Sequence, residues 1–247
     1  SKTILEHHRL LHAMLQNAVY WQIIPYNPAD RVKPPKHQRP QIKYYDDIQC
    51  KQLLEALEHE EIKFQTIVIL TLFTGMRRGE VLGLEWSDID FDNGFVHITK
   101  ASQYTSEKGI FVKNPKTQSS IREVGIPDIV INILKKYRTW YEAEKEKCGN
   151  LWINSNRLFV TWNGSPMHPD TVTDWFRSFI EKNNLPKITF HGLRHTNATL
   201  LISKNVDVAV VASRLGHAQI TTTLNFYVHP IEAHNKEAGN VLEKMLI

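Results

Sequence analysis

The chain has 247 residues, 42% of them hydrophobic and 23% charged, with 11 glycines and 11 prolines. That balance excludes a disordered or low-complexity chain, and the length allows one large core beside a smaller module. A formal charge of +4 permits a nucleic-acid partner without demanding one, and two cysteines far apart, Cys50 and Cys148, argue against a disulfide framework or a thiolate zinc site and fit a reducing cytoplasm.

Residues 3 to 21 place Ile4, Leu11, Met14, Leu15, Ala18 and Val19 at helical spacing, which predicts an amphipathic helix. Its polar-studded start, SKTILEHHRLL, lacks the apolar core of a signal peptide. One helix cannot bury its own apolar face, so this segment reads as the end of a helical domain; a helix docked on the following domain would look the same. The prolines and basic residues of RVKPPKHQRP then read as a linker. The expected organisation is a helical remnant over 1–33, a linker over 34–42, the main domain over 43–234 and a tail helix over 235–247.

Asp46 to His59 carries a helical pattern, with Ile48, Leu53, Leu54 and Leu57 recurring. The apolar run 64–73, FQTIVILTLF, is too short to cross a bilayer; its length suits a buried helix or a strand alike, and its flanks favour a helix ending at Thr74-Gly75. RRGEVLGLEW starts another helix, with Val81, Leu82 and Leu84 facing inward. The period then changes. FVHITK, GIFVK and IREVGIP are short β-rich runs between polar turns and predict a small antiparallel β-sheet. From Pro127 helices return, through IVINILKKYRTWYEAEKEK, TVTDWFRSFIEKN, Leu193–Ile202 and Val208–Leu215, and then Thr221–Tyr227 and Glu232–Leu246. The fold class expected is mainly α with a small antiparallel β-sheet (α+β).

Chemistry concentrates in a few places. His191, Arg194 and His195 fall at i, i+3 and i+4, on one face of a helix. A guanidinium fork beside an imidazole suits a phosphate, although a solvated polar face or an HxxxH metal pair would look alike. Arg77 stands where the apolar segment gives way to a helix start, a position that attracts anions; a salt bridge to Glu80 on the same helix is the plainer alternative. Lys116, with Lys113 nearby, rides a turn between two strands, where a lysine is usually just solvated. His217 follows Gly216, and Tyr227 lies ten residues on within TTTLNFYVH, where a ring more often packs than reacts.

Together these segments, in this order, resemble the tyrosine recombinase (phage integrase) family. The arginine of its TGxR box matches Arg77, its hairpin lysine Lys116, its HxLRH box His191 and Arg194, its LGH box His217 and its nucleophile Tyr227. The resemblance runs from about Ile42 to His234 with no substitution at those positions, and Asn27-Pro-Ala-Asp-Arg-Val-Lys-Pro-Pro is similar to the end of the core-binding domain that precedes the catalytic domain in integrases of phages and conjugative elements. What the resemblance implies is a recombinase catalytic domain preceded by the remnant of a core-binding domain. It also implies a site-specific enzyme that cleaves and rejoins DNA through a 3′-phosphotyrosine at Tyr227, integrating or excising a prophage or other mobile element.

In that reading Arg77, Arg194 and His217 hold the attacked phosphate and His191 helps accept the tyrosine proton. Lys116 then protonates the leaving 5′-oxygen. A phenol is only ~0.1% ionised at pH 7, so surrounding cations must favour its attack. No metal and no cofactor are expected. The partners implied are double-stranded DNA attachment sites, other protomers in a tetramer and an excision or directionality factor, with a cytoplasmic, nucleoid-associated location and no membrane. Arg78, Lys100, Lys113 and Arg122 are candidate DNA contacts. Rival readings are a DNA-binding protein without catalysis, a chromosome-dimer resolvase or type IB topoisomerase of the same chemistry, and a metal-dependent hydrolase built on His191, His195 and His217.

Overall fold

The computed structural model describes residues 2–35, 43–113, 121–217, 219 and 221, and the chain divides into two compact units, Ser1–Gln41 and Ile42–Ile247. In the first unit, helix α1 (Lys2–Tyr20) contains no buried residue, and Ile4, Leu11 and Met14 are each more than half exposed. A 3-10 turn at Pro28–Arg31 folds back on it. Asn27 caps that turn and donates through Nδ2 to the His12 carbonyl (3.1 Å), and Asp30 pairs with His12 Nε2 at 2.7 Å. These polar ties fix the corner, but they cover little apolar surface.

The second unit is built around α3 (Ile62–Thr74), nine of whose 13 residues are buried. A helix apolar on all sides belongs at the centre of a core. Its threonines tolerate burial because Thr66 and Thr71 donate to the carbonyls four residues back, at 2.7 and 2.6 Å. Around it pack α5 (Asp128–Cys148) and α7 (Phe190–Ser203), with α2 (Asp47–Leu57), entered through an Asp46–Gln49 capping box, and α6 (Pro169–Lys182) completing the helical layer. A smaller apolar cluster of Ala198, Ile202, Val211 and Leu215 docks α8 (Val208–Leu215) onto α7. No helix among the described residues is long and apolar enough to cross a membrane.

The fold class is mainly helical, as expected, but the β runs divide between two sheets rather than sharing one. Strands β1 (Ile89–Asp90), β2 (Phe95–Ile98) and β5 (Arg122–Gly125) form an antiparallel sheet in the order β1-β2-β5, and β3 (Ala101–Thr105) pairs with β4 (Gly109–Lys113) as a separate hairpin. The division has a packing cause. On α4 (Arg78–Gly83), Gly79 and Gly83 face strand β3, and a Cβ on either would meet the Ser102 carbonyl oxygen at 2.8 Å or the Ser102 nitrogen at 3.0 Å. Two missing side chains, one helical turn apart, let the β3 backbone lie directly on α4 and lead the hairpin away from the other sheet. The helices expected at Thr221–Tyr227 and Glu232–Leu246 lie outside the described residues, apart from Thr221 itself.

Candidate active site

Helix α3 ends at Gly75, whose φ of +67° lies in the left-handed region that favours glycine, and its last carbonyls need donors from elsewhere. Those donors are side chains of α7 and α8. Asn197 donates to Leu72 O at 2.8 Å, Arg214 to Phe73 O at 2.6 Å, and Arg194 to Gly75 O at 2.7 Å. Arg194, only 2% exposed, also donates to Leu215 O at 2.8 Å, so one guanidinium joins the C-terminal ends of α3 and α8. Both ends carry partial negative charge, which suits a buried cation.

Helix α8 closes on Gly216, again left-handed at φ +66°. Arg77 reaches the Gly216 carbonyl with one nitrogen (3.3 Å) and Glu80 Oε1 with another (2.8 Å), while its own backbone N–H donates to Glu80 Oε2 (2.8 Å). The Arg77–Glu80 salt bridge weighed above as the plainer reading is therefore present. It does not consume the arginine, because Glu80 is shared: Arg122 meets the same carboxylate at 2.8 and 3.3 Å. Burial pushes the Glu80 carboxyl up in pKa, but the hydrogen bonds and charges of Arg122 and Arg77 outweigh it and hold it below its ordinary value.

The histidines complete the patch. His191 and His195 meet edge to face with ring centroids 4.9 Å apart. Desolvation and then the charges of Arg194 and Arg77 lower the pKa of His191. His195 is lowered to about 4 by desolvation first, then by His191 and Arg194. His217, immediately after the α8 cap, is lowered to about 4 by desolvation and then by Arg194, Arg77, Arg122 and His195. Arg77 and Arg122 share the one carboxylate of Glu80, and with Arg194 beside them the patch keeps an excess of positive charge, while the imidazoles stay neutral near pH 7. Such a patch attracts an anion and repels a divalent cation. Among the described residues, no group of three or more His, Cys, Asp or Glu is placed to hold a metal ion.

Four of the six expected catalytic positions, Arg77, His191, Arg194 and His217, thus converge from α4, α7 and the end of α8. Lys116 and Tyr227 lie outside the described residues. Of the expected DNA contacts, Lys113 is exposed at the end of β4. Arg78 pairs with Asp170 (3.2 Å) and donates to Thr173 (2.6 Å), lining an open cleft of about 390 Å³ together with Tyr104 and His168. The other two, Arg122 and Lys100, are engaged within the protein. The Arg122 side chain is 6% exposed and committed to Glu80 and to the Arg214 carbonyl (2.7 Å). Lys100 turns in to Glu85 (3.0 Å) and Asp88 (3.2 Å). Each, like Arg78, finds a carboxylate inside its own domain. Glu80 and His195, expected only as a salt-bridge partner of Arg77 and as a ligand in the metal-hydrolase alternative, also belong to this site.

A family model matches residues 43–234, that of the phage integrase family, and the chain belongs to that family. Its relatives include a XerC-like tyrosine recombinase of Caldanaerobacter subterraneus, 30% identical over 91% of this chain and 58% of the relative. The ICEBs1 integrase of Bacillus subtilis is 28% identical over 96% of this chain and 64% of the relative. The chain therefore spans about three fifths of the length of these curated relatives. Among solved structures, the Tn1549 transposon integrase in complex with transposon right end DNA superposes with a TM-score of 0.84 at 26% identity, covering 100% of this chain and 80% of that one.

Proposed function

We propose that this chain is the catalytic portion of a site-specific DNA recombinase that cleaves and rejoins strands through a 3′-phosphotyrosine, serving integration and excision of a mobile element or prophage. The observation that carries the reading is the gathering of Arg77, Arg194, His191 and His217 on one positively charged patch from segments up to 140 positions apart. In the transition state the equatorial oxygens of the attacked phosphate gain charge, and Arg77 and Arg194 offer donors already fixed by the α3 and α8 ends. His217 adds a third donor. His191, largely neutral in the free protein, can take the proton from Tyr227, the nucleophile; Lys116 is the acid for the leaving 5′-oxygen. The chemistry needs no ATP, because the ester formed on Tyr227 keeps the energy for resealing.

The organisation that goes with this function is a core-binding remnant over 1–33, a linker over 34–42, the catalytic domain over 43–234 and a tail helix over 235–247. The partners are double-stranded attachment sites, further protomers assembled as a tetramer on paired sites, and an excision factor; the setting is the bacterial cytoplasm. Arg78 and Lys113 are the phosphate contacts retained from the sequence reading.

The test is covalent trapping. The chain is incubated with a pool of nicked duplexes of randomised flanking sequence, and the adduct is digested and read by mass spectrometry. The expected result is a nucleotide on Tyr227, and Tyr227→Phe should abolish the adduct while leaving DNA affinity within about threefold. An adduct on another residue, or chelator-sensitive cleavage that survives Tyr227→Phe, would defeat the proposal.

A further inference from the structure

Arg122 ties the two turns of the site to each other. Its Nη2 and Nη1 meet the Glu80 carboxylate at 2.8 and 3.3 Å, and that carboxylate in turn holds both the side chain and the backbone N–H of Arg77. On its other side, Arg122 Nε donates to the Arg214 carbonyl in the last turn of α8, at 2.7 Å. The guanidinium also lies against Gly216: a Cβ there would stand 2.8 Å from Nη1 and 3.1 Å from Cζ. The glycine before His217 therefore does two things. It takes the left-handed cap, and it leaves room for the cation under the turn. Strand β5 presents this guanidinium inward because Arg122 shares the buried face with Val124.

We infer that Arg122 is a positioning residue for the recombinase reaction, one that sets the Arg77 guanidinium and the Gly216–His217 turn relative to each other through Glu80 and the Arg214 carbonyl. It touches neither DNA nor the reacting phosphorus. The inference rests on the function proposed above and adds to it a residue from the sheet, outside every motif that suggested that function. A lysine at the position would keep the charge but offers one nitrogen in place of three, and so could restore only part of the link between the carboxylate and the carbonyl.

The experiment compares the parent chain with Arg122→Gln, Arg122→Lys and the double variant Glu80→Gln/Arg122→Gln, which replaces the buried ion pair by a neutral one and so guards against simple unfolding. Two measurements are made on each. Without DNA, amide hydrogen exchange should show Arg77 and residues 215–217 losing protection together in Arg122→Gln, while α5 keeps its own. With saturating DNA from the trapped pool, adduct formation in Arg122→Gln should slow about 100-fold with Kd changed less than about threefold, Arg122→Lys should recover to within about tenfold of the parent, and the double variant should be no slower than Arg122→Gln. An adduct rate in Arg122→Gln equal to the parent's, or a Kd weakened by the same factor as the rate, would overturn the inference. So would unchanged exchange at the two turns. If the parent itself forms no adduct, the recombinase reading is what fails, and the exchange data still decide whether Arg122 holds the turns.

Discussion

The two arginines expected to share one phosphate are built into the protein in opposite ways. Arg194 is 2% exposed and grips the carbonyls of Gly75 and Leu215, the ends of two helices. Arg77 has a side chain 41% exposed and leans on a carboxylate that Arg122 also holds. The first is part of the frame and the second is mounted on it. The difference teaches that a cationic site can draw one of its charges from the core's own need for donors, at the cost of tying that residue's function to stability.

That contrast can be broken by mutation. Arg194→Gln should be the most damaging change, because it leaves buried carbonyls at the ends of α3 and α8 without donors; about 3 kcal/mol of stability should go with the activity, read by urea denaturation. Arg77→Gln should abolish adduct formation as fully while lowering stability by about 1 kcal/mol or less, since Glu80 keeps Arg122. Equal destabilisation by the two would erase the distinction between frame and mounting. Gly75→Ala comes next. Its left-handed φ costs an alanine roughly 1–2 kcal/mol, and the new methyl would sit 2.6 Å from a Leu215 methyl and 2.8 Å from Asn197 Oδ1. The free energy of unfolding should fall by about 2 kcal/mol in urea denaturation, and adduct formation should slow with it because Arg194 hangs from the Gly75 carbonyl.

The sequence made the frame more legible than the joints. An apolar run ending in Thr74-Gly75 announces a buried helix and its stop, since both signals are local. Arg77, His191, Arg194 and His217 were readable as a set through their order along the chain. Strand β3, ASQYT, was not readable: a polar five-residue run has no apolar alternation, and it is a strand because Gly79 and Gly83 accept its backbone. Arg122 carried a signal that went unused. In IREVG the period of two puts it on the same face as Val124, the buried one, so an inward arginine seeking a carboxylate was the better expectation. Lys100 carried none, because Glu85 and Asp88 reach it only through the fold.

The smallest effect sharpens the same contrast by titration. His195 and His217 are both lowered to about 4 from an ordinary 6.5, by desolvation first and then by charge repulsion, from His191 and Arg194 on the one and from Arg194, Arg77 and Arg122 on the other. A folded pKa below the unfolded one means that the unfolded chain binds protons first as pH falls, so the stability these neutral rings contribute is complete above about 6.5 and drains away toward 4. Glu80 acts in the same direction but in a lower window, since its folded pKa lies beneath its ordinary 4.5 and its contribution is lost only as pH falls through that lowered value. Between pH 6.5 and 5, then, the histidines dominate over Glu80. The denaturation midpoint should decline across that interval in the parent and decline less in His195→Asn, which has no ring to titrate. A midpoint that stays level from pH 7 to 5 would mean that burial and the neighbouring charges do not hold the imidazoles neutral. The anion site would then carry its full positive charge before any phosphate arrives, and the division between a charged frame and neutral, proton-accepting rings would be lost.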